Sequence, residues 1–464
     1  MTIQFFGAAR TVTGSKHLIT TASGTQILLD CGLFQGINTD ELNQQFGFDP
    51  ANVDYMVLSH AHIDHTGLIP RLVRQGFTGP IYTTSATIDL CEVMLMDSAR
   101  IQERDLERVN RRRQHRGQPD LEALYDEDDV QKALGQMQPV EYNKPFAIGN
   151  EVTGLLTDAA HLLGSASISL TIREKGAEKR LFFSGDIGRP DDKILRFPDK
   201  FPQADYIICE STYGDRLHEA EPDMKAHLLR IVQQTCVQER GKLLIPAFAV
   251  DRTQELIYAL DQLSSEGHLP KIPVYIDSPM SVKATDIMRD HEEDFNPEIL
   301  AYIKKDGDAF CFPNLRYVSD VEESKAINNS QEPCIIIAPS GMAEAGRIKH
   351  HIKNNVEKPN TTILLVGYAS PNSLGGALKR GDKEVTIFGE RYHVAARVEI
   401  MDSFSAHGDY REMLQFLSCQ DPARVKTVFL VHGEYDKQVV WKEKLEGAGF
   451  RTVRIPDMRE QVTL

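Results

Sequence analysis

The sequence predicts an α/β protein with two cores, one rich in short strands and one built on a parallel sheet. Three observations predict it. At 464 residues the chain exceeds one ordinary domain. Short apolar runs, separated by turn residues, fill residues 1–60 and 146–210. From Met224 onward apolar strands alternate with amphipathic helices, the order that produces parallel sheets.

The elements follow in order. "TIQFFGA", "KHLITT", "QILLDCG" and "YMVLSH" are apolar, partly alternating strands. "HTGLIPRLVRQG" opens a helix that Gly76 stops, and "PIYTTSATIDLCEVMLMDSARIQ" gives a strand and a long helix. Residues 97–132 are densely charged with few large apolar side chains, which predicts a solvated helical hairpin. Arg111, Arg112, Arg113 and Arg116 form a basic cluster there, offset by the acidic run Asp126 to Asp129. "VTGLLTDAAH", "SASISLTI", "KRLFFSGD" and "ADYIICE" return to strands. "MKAHLLRIVQQTCVQERG" and "DRTQELIYALDQLSSEG" are helices around the buried strand "KLLIPAFA". "PVYIDSP", "CIIIAPSG" and "TTILLVGYA" are further strands bounded by Gly or Pro. His393 falls in a strand and His350 and His351 on a helix, so none of the three is expected to be a metal ligand.

Composition narrows the function. The hydrophobic fraction is 41% and the charged fraction 26%, as in globular proteins, and the net charge is −15. Polyanion binding usually draws on excess Lys and Arg, so a nucleic-acid substrate here would need local positive charge or metal ions. The N-terminus lacks the basic head and apolar run of a signal peptide, and no run has the roughly 18 to 20 apolar residues of a membrane span. Seven cysteines without a C-x-x-C pair are expected to be buried thiols, which fits a reducing cytoplasm.

The chemistry concentrates in "VLSHAHIDHTGLIP", where His60, His62, Asp64 and His65 fall within six positions. Imidazole and carboxylate are the usual ligands of zinc-like divalent ions. At an extended strand end, side chains two apart point the same way, so His60 and His62 can face one ion. Asp64 and His65 follow on the turn, placed for a neighbouring ion. Four candidate ligands exceed what one open catalytic site needs, which points to two metals. His161 in "DAAHLLGSAS" and Asp186 in "LFFSGDIGR" lie at two further strand ends.

Taken together and in this order, these motifs resemble the metallo-β-lactamase superfamily, whose fold is a four-layer αββα sandwich with a dinuclear metal site at the sheet ends. "LLDCG" belongs to the resemblance, and it implies that Asp30 orients ligands without binding metal. Glu210 in "CESTYG", His407 in "DSFSAHGD" and His432 in "FLVHGEYD" flank a long α/β insertion. With "FGAARTVTGS", "PAFAVDRTQE", "DSPMS" and "APSGMAEAGR", they resemble the β-CASP branch of nucleases, including bacterial RNA-specific members and the endonuclease subunit of the cleavage and polyadenylation factor.

The resemblance implies a first ion held by His60, His62 and His161, a second by Asp64, His65 and His432, and Asp186 between them. It divides the chain into 1–210 and 396–464, which form the metallo-β-lactamase domain, and 211–395, the β-CASP insertion. It implies a zinc-dependent ribonuclease acting on single-stranded RNA as an endonuclease, with 5′-exonuclease action left open. The histidine of "LVHGE" resembles that of RNA-acting rather than DNA-acting members. Homodimer formation is left open.

Two divalent ions about 3.5 to 4 Å apart suit phosphodiester hydrolysis, because they lower the pKa of a water and offset charge on the phosphoryl oxygens. Asp64, Glu210 and His407 are the expected catalytic groups, Asp64 also as a ligand. His407 would protonate the leaving oxygen and Glu210 would hold it protonated. Ser340, Gly341 and Met342 would offer N–H groups and a hydroxyl to a phosphate at a helix N-terminus. Ser278 and Ser281 are weaker candidates of the same kind, and Lys379 and Arg380 could touch the RNA backbone. The insertion is expected to act as a lid that admits single strands. Other readings are a catalytically silent RNA-binding subunit, another hydrolase of the superfamily, or a DNA nuclease.

Overall fold

The computed structural model describes Met1 to Leu464 except residues 37–38, 175, 219–223, 368, 371 and 402–405. Two compact units emerge, Met1–Leu217 with His407–Leu464, and His218–Ala406. The units part later than the 210/211 and 395/396 junctions expected from sequence, for a physical reason at each. Ser211 donates from its hydroxyl to Val431 O at 2.6 Å, which ties the start of the expected insertion to the first unit. Arg397–Ile400 pairs parallel with Thr362–Leu365 and completes the second unit's sheet.

The first unit contains two seven-stranded sheets. One runs, in spatial order, Gln461–Thr463, Thr2–Phe5, His17–Thr20, Gln26–Leu29, Tyr55–Val57, Ile81–Thr83 and Met137–Pro139. The other runs Val453–Arg454, Thr427–Leu430, Tyr206–Cys209, Ala177–Phe183, Ala166–Glu174, Val152–Asp158 and Phe146–Ile148. Their inner faces share one core, in which Ile3, Phe5, Ile19 and Val57 meet Leu156, Ile168, Phe183 and Phe429. On the outer face of the second sheet, Met413, Leu417, Trp441 and Leu445 of two helices pack on Phe182, Ile207 and Leu430. The result is the expected helix–sheet–sheet–helix sandwich.

Strand direction positions the chemistry. Gln26–Leu29 and Tyr55–Val57 are parallel, as are Ala177–Phe183, Tyr206–Cys209 and Thr427–Leu430. Their carboxyl ends therefore lie along one edge of each sheet, where α/β proteins bind ligands.

The second unit has a six-stranded sheet in the order Leu315–Val318, Val274–Asp277, Cys334–Ala338, Lys242–Pro246, Thr362–Leu365 and Arg397–Ile400, parallel throughout. Its central strands are buried along their whole length, as continuous apolar runs covered on both faces must be.

The charged segment forms part of a 30-residue helix, Ser85–Gln114, paired with a short helix, Glu127–Leu134. The hairpin is present, with Asp126 and Asp129 closing a capping box on the second helix. His393 lies in an exposed strand and His350 and His351 on a helix, as expected. All seven cysteines are free; five are buried as expected, but Cys419 is half-buried and Cys311 is exposed. Among the described residues no helix is long and apolar enough to cross a membrane.

Candidate metal centre

The seven candidate ligands converge at the strand ends of the first unit. His60 follows Tyr55–Val57, and His62 precedes the one-turn helix Ile63–Thr66 that carries Asp64 and His65. His161 follows Val152–Asp158, Asp186 follows Ala177–Phe183, and His432 follows Thr427–Leu430. Asp30, Ala160 and His432 take left-handed backbone angles of 56°, 53° and 51° in φ. Non-glycine residues adopt that region at a cost, and such strain gathers at functional sites.

Asp186 organises the cluster. Its Oδ2 lies 3.6 Å from His60 Nε2 and 3.5 Å from His161 Nε2. His62 Nδ1 closes this group at 3.0 Å from His60 Nε2 and 3.3 Å from His161 Nε2. Asp186 Oδ1 faces the other way, 3.4 Å from His65 Nε2 and 3.5 Å from His432 Nε2, and His432 Nε2 is 3.3 Å from Asp64 Oδ2. One carboxylate therefore presents one oxygen to each of two ligand groups, His60–His62–His161 and Asp64–His65–His432.

The donor set fits divalent cations. Three imidazole nitrogens and a carboxylate oxygen of the first group lie within 4.8 Å of one another, as do the atoms of the second. His65 Nε2 and Asp186 Oδ1 are buried and have no hydrogen-bond partner, which is costly unless something else satisfies them. Burial pushes His60 and His161 well below the ordinary imidazole value and His62 to about 4, so these rings are neutral with a lone pair to offer. Burial alone would raise the Asp186 carboxyl, but His432 and His65 outweigh it and hold it well below the usual range.

Supporting groups fix the rings. Asp30 Oδ2 lies 2.6 Å from His65 Nδ1, while its Oδ1 accepts from Ser59 N at 2.8 Å. Ser59 Oγ also lies 3.0 Å from His60 Nδ1. Thr212 Oγ1 lies 2.9 Å from His432 Nδ1. Ser59 and Thr212 are absent from the expectations, although Ser59 lies within "VLSHAHIDHTGLIP" and Thr212 within "CESTYG", and that adjacency is the available signal.

Beside this cluster, His407 Nδ1 is 3.1 Å from Glu210 Oε1 and His407 Nε2 is 3.9 Å from Asp186 Oδ2. Glu210 is wholly buried, with Oε1 accepting from Ile187 N at 2.6 Å and Oε2 from Thr212 N at 3.3 Å. Burial would lower the His407 pKa, but Glu210 and the other nearby carboxylates raise it to about 9. Of "DSFSAHGD", Asp402, Ser403, Phe404 and Ser405 lie outside the described residues.

Matches to known families cover most of the chain. Residues 17–222 match the metallo-beta-lactamase superfamily, 253–378 the Beta-Casp domain, and 391–456 the Zn-dependent metallo-hydrolase RNA specificity domain. Ribonuclease TTHA0252 of Thermus thermophilus is 36% identical over 438 residues, covering 94% of each chain. This chain belongs to the β-CASP branch of the metallo-β-lactamase superfamily. Among other β-CASP relatives, the transcription termination factors FttA of Methanosarcina mazei and Methanocaldococcus jannaschii are 29% and 30% identical over 92% and 94% of this chain. The chain spans 66% and 67% of their lengths. A protein of unknown function from Enterococcus faecalis shares the fold at a TM-score of 0.54 and 12% identity, covering 100% of this chain and 99% of that one.

The β-CASP unit corrects two expectations. Ser340, Gly341 and Met342 form a turn, but the helix beyond it is Gly346–Asn355 with Ala345 as its cap, so their amides do not stand at a helix start. Ser340 Oγ instead accepts from Ala345 N at 3.2 Å. Ser278 caps the helix Pro279–Asp290 by accepting from Ser281 N, and Ser281 is buried, so neither is placed to hold a phosphate. Of the loop before Lys379, Pro371 lies outside the described residues.

Proposed function

We propose that this chain is a zinc-dependent ribonuclease that hydrolyses phosphodiester bonds of single-stranded RNA. The observation that carries the reading is Asp186, with one oxygen toward each ligand group and the His407–Glu210 pair beside it. His60, His62 and His161 would hold one ion, Asp64, His65 and His432 a second, and Asp186 would serve both. Two such ions supply an acidified water as nucleophile and positive charge against the phosphoryl oxygens. Imidazole-rich ligation favours zinc.

The remaining work falls to the chain. Glu210, fixed by two backbone amides, orients His407 and stabilises its protonated form. His407 Nε2 faces the cluster and would give its proton to the leaving 3′ oxygen. Asp30 holds the His65 ring so that Nε2 points inward. The likeness to a Thermus ribonuclease supports RNA as the substrate, and the complete set of ligands argues against a silent subunit.

Incubation with linear, 5′-blocked and circular RNAs, with and without chelator, tests the reading. Cleavage of the circle, abolished by chelator, is expected for an endonuclease. Faster loss of the 5′-monophosphorylated linear RNA than of the blocked one would add 5′-exonuclease action. Cleavage that survives complete metal removal would sink the proposal.

A further inference from the structure

We propose that two arginine–tyrosine stacks on the first unit, Arg10–Tyr435 and Arg216–Tyr213, grip single-stranded RNA beside the metal centre. The inference rests on the ribonuclease reading above and adds the residues that hold the strand.

The first stack is fixed to the His432 side. Arg10 lies in a loop whose Ala8 and Arg10 both hold left-handed backbone angles, at φ 48° and 57°. His432 N donates to Ala8 O at 2.7 Å and Gly433 N to Thr11 O at 3.2 Å, so this loop and the ligand segment move together. The Arg10 guanidinium lies 4.8 Å from the centre of the Tyr435 ring, and Tyr435 is 50% exposed at the start of the helix Tyr435–Gly447. The second stack is fixed to the His407 side. The Arg216 guanidinium lies 5.5 Å from the Tyr213 ring, and that ring meets the His407 ring edge-on at 6.0 Å. Thr212, next to Tyr213, contacts His432 Nδ1, and Glu434, next to Tyr435, lies within electrostatic reach of Arg216. Both stacks thus border one centre.

Their chemistry matches a single strand. The chain carries a net charge of −15, so a polyanion must find local positive charge. A guanidinium held over a ring offers a fork for a phosphate and, beside it, an aromatic surface for an unstacked base. A duplex keeps its bases stacked and cannot use such a surface. Arg10 pairs with Asp457 at 2.6 Å, where the Asp457 side chain is 62% exposed, and Arg216 pairs with the adjacent Asp215 at 3.0 and 3.1 Å, where the Arg216 side chain is 48% exposed. Exposed pairs are weak, so a phosphate can compete with these carboxylates.

Steady-state cleavage of a single-stranded RNA oligonucleotide by the full chain, beside hydrolysis of bis(p-nitrophenyl) phosphate, tests the proposal. The small diester has no flanking nucleotides for the stacks to hold. Arg10→Gln, Arg216→Gln and Tyr435→Leu are each expected to raise KM for RNA about 10-fold with kcat within about twofold, and to leave the small diester unaffected. Tyr435→Phe keeps the ring and should match the wild type. Arg10→Gln should also flatten the dependence of log KM on log salt by about 0.7, the share of one phosphate contact on a single strand. Asp457→Asn removes one competing carboxylate and should lower KM. Unchanged KM and salt dependence in Arg10→Gln and Tyr435→Leu, on an RNA that the wild type cleaves, would overturn the inference. A wild type that hydrolyses the small diester and no RNA would instead overturn the substrate reading beneath it.

Discussion

Each unit buries a carboxylate against histidine at the end of a strand, yet the two clusters differ in what completes them. In the second unit Asp277, wholly buried, accepts from His351 Nε2 at 2.7 Å, Ser324 Oγ at 2.5 Å and Arg347 Nη1 at 2.5 Å. His351 Nδ1 meets Asn328 Oδ1 at 2.9 Å, and Arg347 also donates to Val318 O and Ser319 O. None of these side-chain atoms lacks a partner among the described residues. In the first unit, Asp186 Oδ1, His65 Nε2 and His161 Nδ1 are buried without one. The same residue types thus make a self-sufficient tie in one place and an open set of donors in the other. Buried charge that protein groups satisfy is structural; buried charge left unsatisfied calls for something the chain does not itself supply.

Substitutions can break this contrast. Asp186→Ala should remove both metals and reduce cleavage to background, because it deletes the one carboxylate that faces both ligand groups. Metal analysis and cleavage assays check this. His407→Ala should keep both metals and lower kcat by about 10²- to 10⁴-fold. Retained metal with a normal rate would remove His407 from the acid's role. Asp277→Ala should do the reverse of Asp186→Ala, destabilising by about 3 to 5 kcal/mol in denaturant unfolding with metal content intact, because it leaves Arg347 and His351 unpaired.

Two smaller effects sharpen it. Asp30→Asn should weaken metal binding by about 10- to 100-fold, read by competition with a chromogenic chelator, since it loosens His65 alone. The Asp277 carboxyl would be raised by burial, but hydrogen bonds from His351, Ser324 and Arg347 outweigh that and hold it below 3.8. A group lowered in this way stabilises the fold above its unfolded value and loses that contribution as pH falls through the folded one. Melts of the full chain should therefore show destabilisation below about pH 4 that Asp277→Asn diminishes.

What the sequence made legible followed from distance along the chain. His60, His62, Asp64 and His65 declare themselves because the period of an extended strand and one turn place them together. The parallel sheet of the second unit was legible because its strands are unbroken apolar runs. His161, Asp186 and His432 are single residues at strand ends, and only the family resemblance joins them to the others. Thr212 and Ser59 escaped notice because a hydroxyl that steadies an imidazole leaves no pattern of its own. The Asp277 tie was missed for the same reason: its partners lie 47, 70 and 74 residues away. The Ser340 turn was misplaced because a strand, turn and helix in sequence do not reveal where the helix begins.

The most direct measurement is anomalous diffraction at the zinc edge from crystals of the full chain grown with zinc. The account predicts two peaks, about 3.5 to 4 Å apart, one within reach of His60, His62 and His161 and the other of Asp64, His65 and His432, with Asp186 touching both. Crystals showing no peak at these side chains, or zinc only elsewhere on the protein, would contradict it.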